Sequence, residues 1–188
     1  MIVVIDYGIG NVGSVVNALD KLGVESKISS DPRVIKKARG IILPGVGNAK
    51  QGMENLKKRK LDKVIIEEIK KGKPFLGICL GMQLLFDKSE EGNVKCLGVF
   101  KGTVKKFKKE RKIPQIGWNN VSPDNSFFYF VNSYYCVPSD EKIIVGTTTY
   151  GETFASVVRK DNIFGVQFHP EKSGKAGFAL LKNFLKLC

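Results

Sequence analysis

Lys73-Pro-Phe-Leu-Gly-Ile-Cys-Leu-Gly-Met-Gln83 is the stretch that decides the fold. The apolar run Phe75–Ile78 predicts a buried strand, and residues 80–86 predict the start of a helix. Cys79 lies between them with a glycine two residues away on each side, and glycine removes side chains that would clash in so tight a turn. A helix N-terminus favours a thiolate. We therefore expect Cys79 to be a nucleophile.

The residues before this stretch alternate between strand and helix patterns. Apolar strand patterns occur at residues 2–6, 24–28 and 40–43. Helix patterns occur at residues 11–22, 32–38, 49–56 and 61–70. Asp31 and Pro32 supply a cap and a first-turn proline for the second of these helices. Nearly all-apolar strands between helices favour a parallel sheet that is covered on both faces.

The residues after Gly92 have a different pattern, in which short strands dominate. These strands are predicted at residues 97–100, 102–107, 127–135, 143–149, 154–159 and 163–168. An amphipathic helix is predicted at residues 174–187. We expect the later strands to extend the same sheet in antiparallel orientation. No repeat or linker interrupts the pattern, so residues 1–188 are predicted to form a single α/β domain.

The composition is that of an ordinary globular protein, with 43% hydrophobic and 26% charged residues. No apolar run is long enough to span a membrane, and Met1 leads directly into a strand pattern. We therefore expect neither a membrane anchor nor a signal peptide. Four cysteines without metal-ligand spacing favour a reduced, cytoplasmic protein, and we expect no metal and no cofactor.

The net charge of +13 is the unusual feature of the composition. The densest basic run, residues 105–112, carries one aromatic residue and accompanies no recognisable nucleic-acid-binding module. An exposed strand or hairpin tip is the favoured interpretation, and an RNA-binding patch or a docking surface are the alternatives. The charge alone therefore does not predict a nucleic-acid partner.

The first strand is followed by Gly8-Ile-Gly-Asn-Val-Gly13, which matches a dinucleotide-binding fingerprint. Two observations count against that interpretation. Asp6 places a carboxylate where a pyrophosphate would have to approach. Glu25 lies early in the second strand, whereas the acid that binds a ribose belongs near the end of that strand. A tight strand-to-helix turn is the favoured interpretation.

The chain contains one histidine, His169, in Gln167-Phe-His-Pro-Glu171. It follows an apolar strand pattern, so it lies where open parallel sheets place their ligands. Glu171 is two residues further on and, in extended backbone, points the same way. Its carboxylate can then orient the His169 ring while the other ring nitrogen faces Cys79. Any Cys-His mechanism in this chain must use this histidine.

Backbone N–H groups near Cys79 are candidates for stabilising an oxyanion. The N–H of Leu80, directly after the cysteine, is one. The second is expected in Pro44-Gly-Val-Gly47, at the end of the third strand. Since Pro44 has no N–H, Val46 or Gly47 is the expected donor. An ordinary strand-end turn is the alternative for this segment.

The chain resembles class I (triad) glutamine amidotransferases in three segments, Pro44-Gly-Val-Gly47, Gly77-Ile-Cys-Leu-Gly-Met-Gln83 and His169-Pro-Glu171. Within that class it is similar to the glutaminase-subunit family of imidazole glycerol phosphate synthase, through Asp6-Tyr-Gly-Ile-Gly-Asn11, Gly117-Trp-Asn119 and His169-Pro-Glu-Lys-Ser173. The resemblance spans nearly the whole chain. It implies a flavodoxin-like fold with a mostly parallel sheet and added antiparallel strands.

The resemblance implies that the Cys79 thiolate attacks the side-chain amide of L-glutamine and forms a glutamyl thioester. His169 then protonates the departing ammonia and activates water, while Glu171 orients it. The residues implied to hold the glutamine are Gly47, Gln83, Glu91, Ser133 and Tyr134. A carboxylate at Glu91 suits the α-ammonium of the substrate. The alternative is that Gln83 and Glu91 cap a helix end and that Ser133 and Tyr134 are ordinary strand residues.

The resemblance also implies a heterodimer with a cyclase subunit that is a (β/α)8 barrel. The cyclase would combine ammonia with a ribotide to give imidazole glycerol phosphate and an aminoimidazole carboxamide ribotide in histidine biosynthesis. Asn11, Lys172 and the turn at residues 44–47 are implied to face this partner, and the turn is implied to become active only when the partner binds. Asn132 stands where the family often carries histidine, and an amide keeps a donor and an acceptor of similar reach.

Three alternatives to this interpretation remain at the level of sequence. A related glutaminase could feed ammonia to a different synthase, for example in sugar amidation. A protein of the same fold could lack catalysis, although all three triad residues are present. A basic nucleic-acid-binding or dinucleotide-binding protein is the third alternative.

Overall fold

The computed structural model describes residues 1–108 and 112–188. Its strands are β1 (Ile2–Ile5), β2 (Ser26–Ser29), β3 (Gly40–Leu43), β4 (Phe75–Ile78), β5 (Lys88–Ser89), β6 (Val94–Lys95), β7 (Gly102–Lys106), β8 (Gln115–Val121), β9 (Ser126–Asn132), β10 (Tyr134–Pro138), β11 (Ile144–Tyr150), β12 (Glu152–Lys160) and β13 (Ile163–Val166). Its helices are α1 (Val12–Lys21), α2 (Pro32–Lys37), α3 (Ala49–Lys58), α4 (Leu61–Lys70), α5 (Leu80–Gln83) and α6 (Gly174–Leu185). Short 3₁₀ turns occur at Glu141–Ile143 and Pro170–Lys172.

Eleven strands of the described chain form one mixed sheet, in the order β2-β1-β3-β4-β13-β12-β10-β7-β5-β6, and β11 also pairs with β12. The five strands from β2 to β13 run parallel. β12 and β10 continue the sheet in antiparallel orientation. The predicted α/β fold, a mostly parallel sheet extended by antiparallel strands, is therefore confirmed. The expected antiparallel orientation is wrong for the strand predicted at residues 163–168, because β13 joins the sheet parallel to β4.

The parallel strands are buried on both faces, which explains their continuous apolar sequences. On β1, Ile2 and Val4 point into one buried cluster, and Val3 and Ile5 point into the other. Helices α1 and α6 cover the first face, and α2, α3 and α4 cover the second. Each large apolar side chain that is fully buried in this way contributes about 2 kcal/mol to stability.

Three helices begin where the sequence provides a capping side chain. Asn11, Asp31 and Asn48 accept hydrogen bonds from backbone N–H groups in the first turns of α1, α2 and α3. For α2, the Asp31 carboxylate accepts from the Arg33 N–H at 2.8 Å, and Pro32 follows as the first helical residue, as predicted. A cap of this kind stabilises a helix by about 1 kcal/mol.

The predicted strand at residues 97–100 is wrong. These residues follow an irregular path because the end of α5 takes up their hydrogen-bonding groups. The N–H of Leu97 donates to the Leu84 carbonyl, and the N–H of Phe100 donates to the Leu85 carbonyl, both at 2.9 Å. For the same reason the helix predicted at residues 80–86 is regular only over Leu80–Gln83.

The strand predicted at residues 127–135 is two strands, which separate at Ser133. β9 pairs with β8 in a second, two-stranded antiparallel sheet, and β10 belongs to the main sheet. β8 is not predicted from the sequence, because its residues are mostly polar or exposed and show no apolar run. The expectation that all later strands join one sheet is therefore wrong for this pair.

The basic run at residues 105–112 is only partly described. β7 ends at Lys106, and Lys109, Glu110 and Arg111 lie outside the described residues, so the expected strand or hairpin tip stays a prediction. Among the helices that the structure describes, none combines the length and the apolar character needed to cross a membrane.

Candidate active site

Cys79 occupies the tip of the turn between β4 and α5, with φ of +54° and ψ of −110°. Holding a non-glycine residue in such a conformation costs about 1–3 kcal/mol. Its N–H donates to the Val166 carbonyl at 2.7 Å and so fastens the turn to β13. The predicted strand-to-helix turn is present. Helix α5 has only four residues, however, so the partial positive charge that we expected to favour a thiolate comes from a single helical turn.

The two glycines beside Cys79 are required by space. A Cβ on Gly77 would lie 2.7 Å from the carbonyl oxygen of Gly81. A Cβ on Gly81 would overlap the carbonyl oxygen of Leu43 on the neighbouring strand β3. Neither glycine has a positive φ, so it is the cysteine between them that carries the unusual backbone conformation.

His169 and Glu171 lie beside this turn, at the end of β13. His169 Nδ1 and Glu171 Oε1 are 2.9 Å apart, and only 2% of the His169 surface is exposed. The backbone geometry differs from the sequence prediction, because Pro170–Lys172 forms a 3₁₀ turn and not an extended segment. The His169 N–H donates to the Tyr129 carbonyl at 2.9 Å, which ties this turn to β9. The structure thus brings together the predicted carboxylate and imidazole.

The electrostatics of His169 favour its protonated form. Burial disfavours the charged ring, but the Cys79 sulfur and the Glu171 carboxylate beside it outweigh this effect and raise the pKa of His169 to about 10. Nε2 is buried and has no hydrogen-bond partner in the described part of the chain, so it is the nitrogen left to serve Cys79. An imidazolium beside a sulfur stabilises the thiolate, which is the reactive form of cysteine.

The Cys79 sulfur also contacts two groups that were not predicted from the sequence. The Val131 carbonyl oxygen lies 3.8 Å from Sγ, and the side-chain nitrogen of Gln167 lies 3.7 Å from it. Gln167 is completely buried. The indication available in the sequence was an amide inside an otherwise apolar run, directly before the Phe168-His169 pair.

A cavity of about 210 Å³ opens beside Cys79. All five residues predicted to hold the substrate line it, together with both predicted oxyanion segments. The lining residues are Val46, Gly47, Cys79, Leu80, Gln83, Glu91, Pro114, Val131, Asn132, Ser133 and Tyr134.

Glu91 and Gln83 combine a place in this cavity with bonds to the protein. Glu91 accepts a hydrogen bond from the Ala49 N–H at 2.7 Å and so caps α3. Burial raises the pKa of Glu91, and the bond from Ala49 opposes that rise. The side-chain nitrogen of Gln83 donates to the Tyr134 carbonyl and to Gln167, each at 3.1 Å. One carboxylate oxygen of Glu91 therefore caps a helix, as the alternative interpretation expected, and the residue also lines the cavity.

Asn132 stands beside the predicted substrate residues. Its side-chain nitrogen donates to the Tyr134 carbonyl at 3.0 Å. Its side-chain oxygen is buried without a hydrogen-bond partner in the described residues. An acceptor that remains free in a cavity is suited to a donor group on a ligand.

The two predicted oxyanion donors are not both free in this conformation. The Leu80 N–H points at the Gly45 carbonyl oxygen at 3.3 Å. Val46 is 41% exposed, and Gly47 has a φ of +112°, so the turn carries a glycine-dependent conformation at its end. Gly45 itself packs against Tyr7 and Leu80 with no room for a side chain. The Gly45 carbonyl therefore occupies the Leu80 N–H, which an oxyanion would need as its donor.

The predicted partner-facing residues lie at the same edge of the sheet as Cys79, because they follow parallel strands. Asn11 comes after β1, and its side chain accepts from the Ser14 N–H at 3.2 Å. Lys172 comes after β13 and is exposed. The dinucleotide interpretation of the first turn gains no support, since the Asp6 carboxylate already accepts from the Gly8 N–H at 2.9 Å. That N–H is one of the groups a phosphate would use.

A strained cysteine on one parallel strand and a buried histidine–carboxylate pair on the next define a cysteine-dependent acyl-transfer class of site. Comparison with known proteins gives the family. The sequence profile of the family described as "Glutamine amidotransferase class-I" matches residues 3–188. The chain belongs to this family and is a glutamine amidotransferase.

Several relatives are similar to this chain along its whole length. Imidazole glycerol phosphate synthase subunit HisH 2 of Methanococcus maripaludis is 48% identical in an alignment of 200 positions that covers 99% of this chain and 99% of that protein. Imidazole glycerol phosphate synthase subunit HisH of Dehalococcoides mccartyi is 47% identical in an alignment of 199 positions that covers 100% of this chain and 97% of that protein. Within the amidotransferase family the chain therefore groups with HisH subunits.

Solved structures support the fold. A crystal structure of a glutamine amidotransferase superposes with a TM-score of 0.81 at 18% identity, covering 98% of this chain and 97% of that one. PurLQS from Thermotoga maritima superposes with a TM-score of 0.75 at 20% identity, again covering 98% and 97%. At such identities the likeness concerns the fold alone.

Proposed function

We propose that this chain is the glutaminase subunit of an imidazole glycerol phosphate synthase and that it hydrolyses L-glutamine to glutamate and ammonia. The observation that carries the chemistry is the placement of Cys79, at a φ of +54°, beside the buried His169–Glu171 pair. The particular synthase is supported by the relatives, whose identity of 47–48% extends along the whole chain.

In the proposed first step the Cys79 thiolate adds to the side-chain amide carbon of glutamine. The amide oxygen becomes an oxyanion, and backbone N–H groups stabilise it. Protonated His169 gives its Nε2 proton to the nitrogen, the C–N bond breaks, and ammonia leaves behind a glutamyl thioester. Glu171 holds the ring through Nδ1 and stabilises its positive charge.

In the proposed second step neutral His169 takes a proton from water, and the oxygen of that water adds to the thioester carbon. When the C–S bond breaks, glutamate is released and the thiolate is restored beside a protonated His169. Substrate binding is assigned to Gly47, Gln83, Glu91, Ser133 and Tyr134, because all of them line the cavity beside Cys79.

The assignment of the oxyanion donors includes a conformational step. We assign the donors to Leu80 and to Val46 or Gly47. Because the Leu80 N–H points at the Gly45 carbonyl, the turn must move before Leu80 can serve an oxyanion. An isolated subunit in this conformation would be a slow glutaminase, and a partner that rearranges the turn would activate it.

The proposed partner is a cyclase subunit with a (β/α)8 barrel, bound in a heterodimer over the edge of the sheet that carries Cys79. Asn11, Lys172 and the 44–47 turn lie at that edge. The neighbouring β8–β9 pair exposes three large apolar side chains, Ile116, Trp118 and Phe127. Exposed apolar clusters of this kind mark interaction surfaces. The cyclase would use the ammonia to form imidazole glycerol phosphate and an aminoimidazole carboxamide ribotide.

We also infer that residues 1–188 form one domain and that the protein acts in the cytoplasm. One sheet joins the first half of the chain to the second through β4 and β13. The four cysteines, Cys79, Cys96, Cys136 and Cys188, are free thiols, as a reducing compartment requires.

The experiment that tests the proposal mixes the protein with a candidate cyclase and its ribotide ligand and measures release of glutamate. Wild type should be stimulated strongly by the liganded partner. Cys79→Ser should lose at least about 10⁴-fold in turnover, because the alcohol is far less ionised than the thiol. Size-exclusion chromatography should still show the complex, since the substituted atom lies inside the cavity.

Two results would contradict this assignment. Full turnover in Cys79→Ser would remove the nucleophile from the mechanism. Activation by an unrelated synthase, with no response to the cyclase, would identify a glutaminase that serves a different pathway. As a control, Cys188→Ser changes a thiol in the last residue of the chain and should leave turnover and activation unchanged.

A further inference from the structure

Gln167 has a side chain that is completely buried and lies against the Cys79 sulfur. Burying an amide is unfavourable by about 1–3 kcal/mol unless its polar atoms are hydrogen-bonded. Its position follows Val166 at the end of β13 and precedes Phe168, so an apolar residue would satisfy the packing there at no such cost. The amide therefore needs an explanation that packing does not supply.

The orientation of the Gln167 amide follows from its neighbours. The Tyr134 carbonyl can only accept, so Gln83 must present its NH₂ group to it, at 3.1 Å. That same nitrogen has a second N–H, which donates to the Gln167 oxygen at 3.1 Å. With its oxygen fixed on Gln83, Gln167 must turn its own NH₂ group toward the Cys79 sulfur, at 3.7 Å. The hydrogen bonds that begin at the Tyr134 carbonyl therefore fix the orientation of the Gln167 amide.

The backbone of Gln167 is also fixed to the neighbouring strand β12. Its backbone N–H donates to the Ser156 carbonyl at 2.9 Å. The hydroxyl of Ser156 in turn accepts from Thr148 at 2.9 Å. Gln167 is absent from the lining of the substrate cavity, whereas Gln83 belongs to it. The NH₂ group of Gln167 is therefore a fixed donor whose target is the sulfur and not the substrate.

We propose that Gln167 is a positioning residue. Its side-chain N–H donates to the Cys79 sulfur and, together with His169, stabilises the thiolate. This inference rests on the proposed function. A hydrogen bond to an anion is about twice as strong as one to a neutral acceptor. The bond is strongest when the sulfur is a free thiolate and weakest when it is a thioester. It therefore orients the attacking sulfur and favours its release when glutamate leaves.

The test measures alkylation of Cys79 by iodoacetamide as a function of pH, with the Cys79 peptide followed by mass spectrometry so that the other three thiols do not interfere. Gln167→Met keeps the approximate volume and removes the N–H. We expect the midpoint of the alkylation profile to rise by about one pH unit. Glutaminase turnover near neutral pH should fall about tenfold and recover at higher pH, while KM for glutamine stays within about twofold.

A second variant and a matched control keep this test decisive. Gln167→Glu retains the shape and places a carboxyl group against the sulfur, so it should raise the midpoint further than Gln167→Met does. Gln51→Met changes an exposed glutamine of α3 and should leave the profile unchanged. An unchanged midpoint in either folded Gln167 variant would overturn the proposal.

A measurement on the wild-type chain serves if both variants fail to fold. Blocking Cys79 with methyl methanethiosulfonate should move the side-chain NH₂ resonances of Gln167 in an amide NMR spectrum. Resonances that stay in place would overturn the proposal. Because neither alkylation nor blocking requires glutamine, these results are independent of the glutamate-release experiment on Cys79→Ser.

Discussion

Two glycine-rich turns in this molecule join a parallel strand to a helix, and they are built for opposite purposes. In the turn after β1, Gly8 and Gly10 have φ values of +85° and +115°, so the glycines carry the unusual backbone conformation. In the turn after β4, Gly77 and Gly81 have no positive φ, and Cys79 between them carries it. The first turn is relaxed because glycine adopts such angles freely, whereas the second stores strain at its central residue.

The source of the supporting contacts also differs between the two turns. The turn after β1 is closed by its own Asp6, whose carboxylate accepts from the Gly8 N–H. The turn after β4 depends on distant residues, since Cys79 is bonded to Val166 and faces His169. A turn whose hydrogen bonds are made by its own residues has no polar group left to take part in a reaction. A strained turn that is completed by another strand presents a reactive side chain to that strand.

Among variants that keep Cys79, the largest effect is expected from removing the charge of Glu171, which holds the histidine that the second turn faces. Glu171→Gln keeps the shape of the side chain but no longer stabilises the imidazolium of His169. We expect partner-stimulated kcat to fall by roughly 10³-fold, about 4 kcal/mol, with the complex intact. Glu67→Gln removes an exposed carboxylate that pairs with Lys36 and Lys71, and it should change kcat less than about twofold. Equal rates in the two variants would remove Glu171 from the mechanism.

The next effect concerns the protonation of His169, which NMR can follow without overlap because the chain has one histidine. In wild type the ring should titrate with a pKa of about 10. Cys79→Ala removes the sulfur that raises this pKa and leaves the burial that lowers it. We expect the midpoint to fall by roughly two pH units. A midpoint that does not move would mean that the second turn and the histidine are not coupled.

The sign of the accompanying stability change follows from linkage. The pKa of His169 is higher in the folded chain than the ordinary value of about 6.5, so folding favours the proton. The stabilising contribution of His169 is therefore complete below about pH 6.5 and is lost as the pH rises toward 10. Urea unfolding of wild type and His169→Gln at several pH values should show their difference shrinking over this interval.

The smallest expected effect is on the free energy of unfolding, and it distinguishes glycines at which a Cβ would clash from those at which it would not. In Gly81→Ala the added Cβ would overlap the Leu43 carbonyl oxygen, and we expect a loss of about 2–3 kcal/mol in the free energy of unfolding. Gly13→Ala is the matched control at the last glycine of the first turn. In the described part of the chain, no atom beyond its sequence neighbours and the backbone of its own helix lies within 4 Å of the added Cβ. Because alanine also favours the helix, Gly13→Ala should be neutral or stabilising by up to about 1 kcal/mol. Equal urea midpoints would contradict the steric account.

The sequence predicted those features that depend on local chemistry. Buried parallel strands such as β4 have continuous apolar sequences, and caps such as Asp31 mark helix starts. Cys79, which lines the cavity, and the His169–Glu171 pair could be predicted because reactive residue types follow strand ends. The residues expected to hold the substrate were implied by the family resemblance. The distances between these groups could not be predicted, since they lie on different parts of the chain.

The features that the sequence did not predict depend on partners elsewhere in the fold. β8 is a strand because β9 pairs with it, although its own residues show no apolar pattern. Residues 97–100 are apolar but bond to the end of α5 instead of to a strand. Gln167 required knowledge of its hydrogen bond from Gln83, and the position of the Gly45 carbonyl is a backbone orientation that no residue type specifies.

The position of β13 in the sheet has a consequence for the folding of the chain during its synthesis. β13 lies between β4 and β12, and it brings Gln167 against Cys79 across 88 positions of the chain. Closing so long a loop is a late event in folding, because the entropy of closure is lost before any contact compensates for it. A nascent chain on the ribosome therefore displays its cysteine long before the histidine has been synthesised. Under the proposed mechanism, a chain shortened before His169 has no base for Cys79 and releases no ammonia.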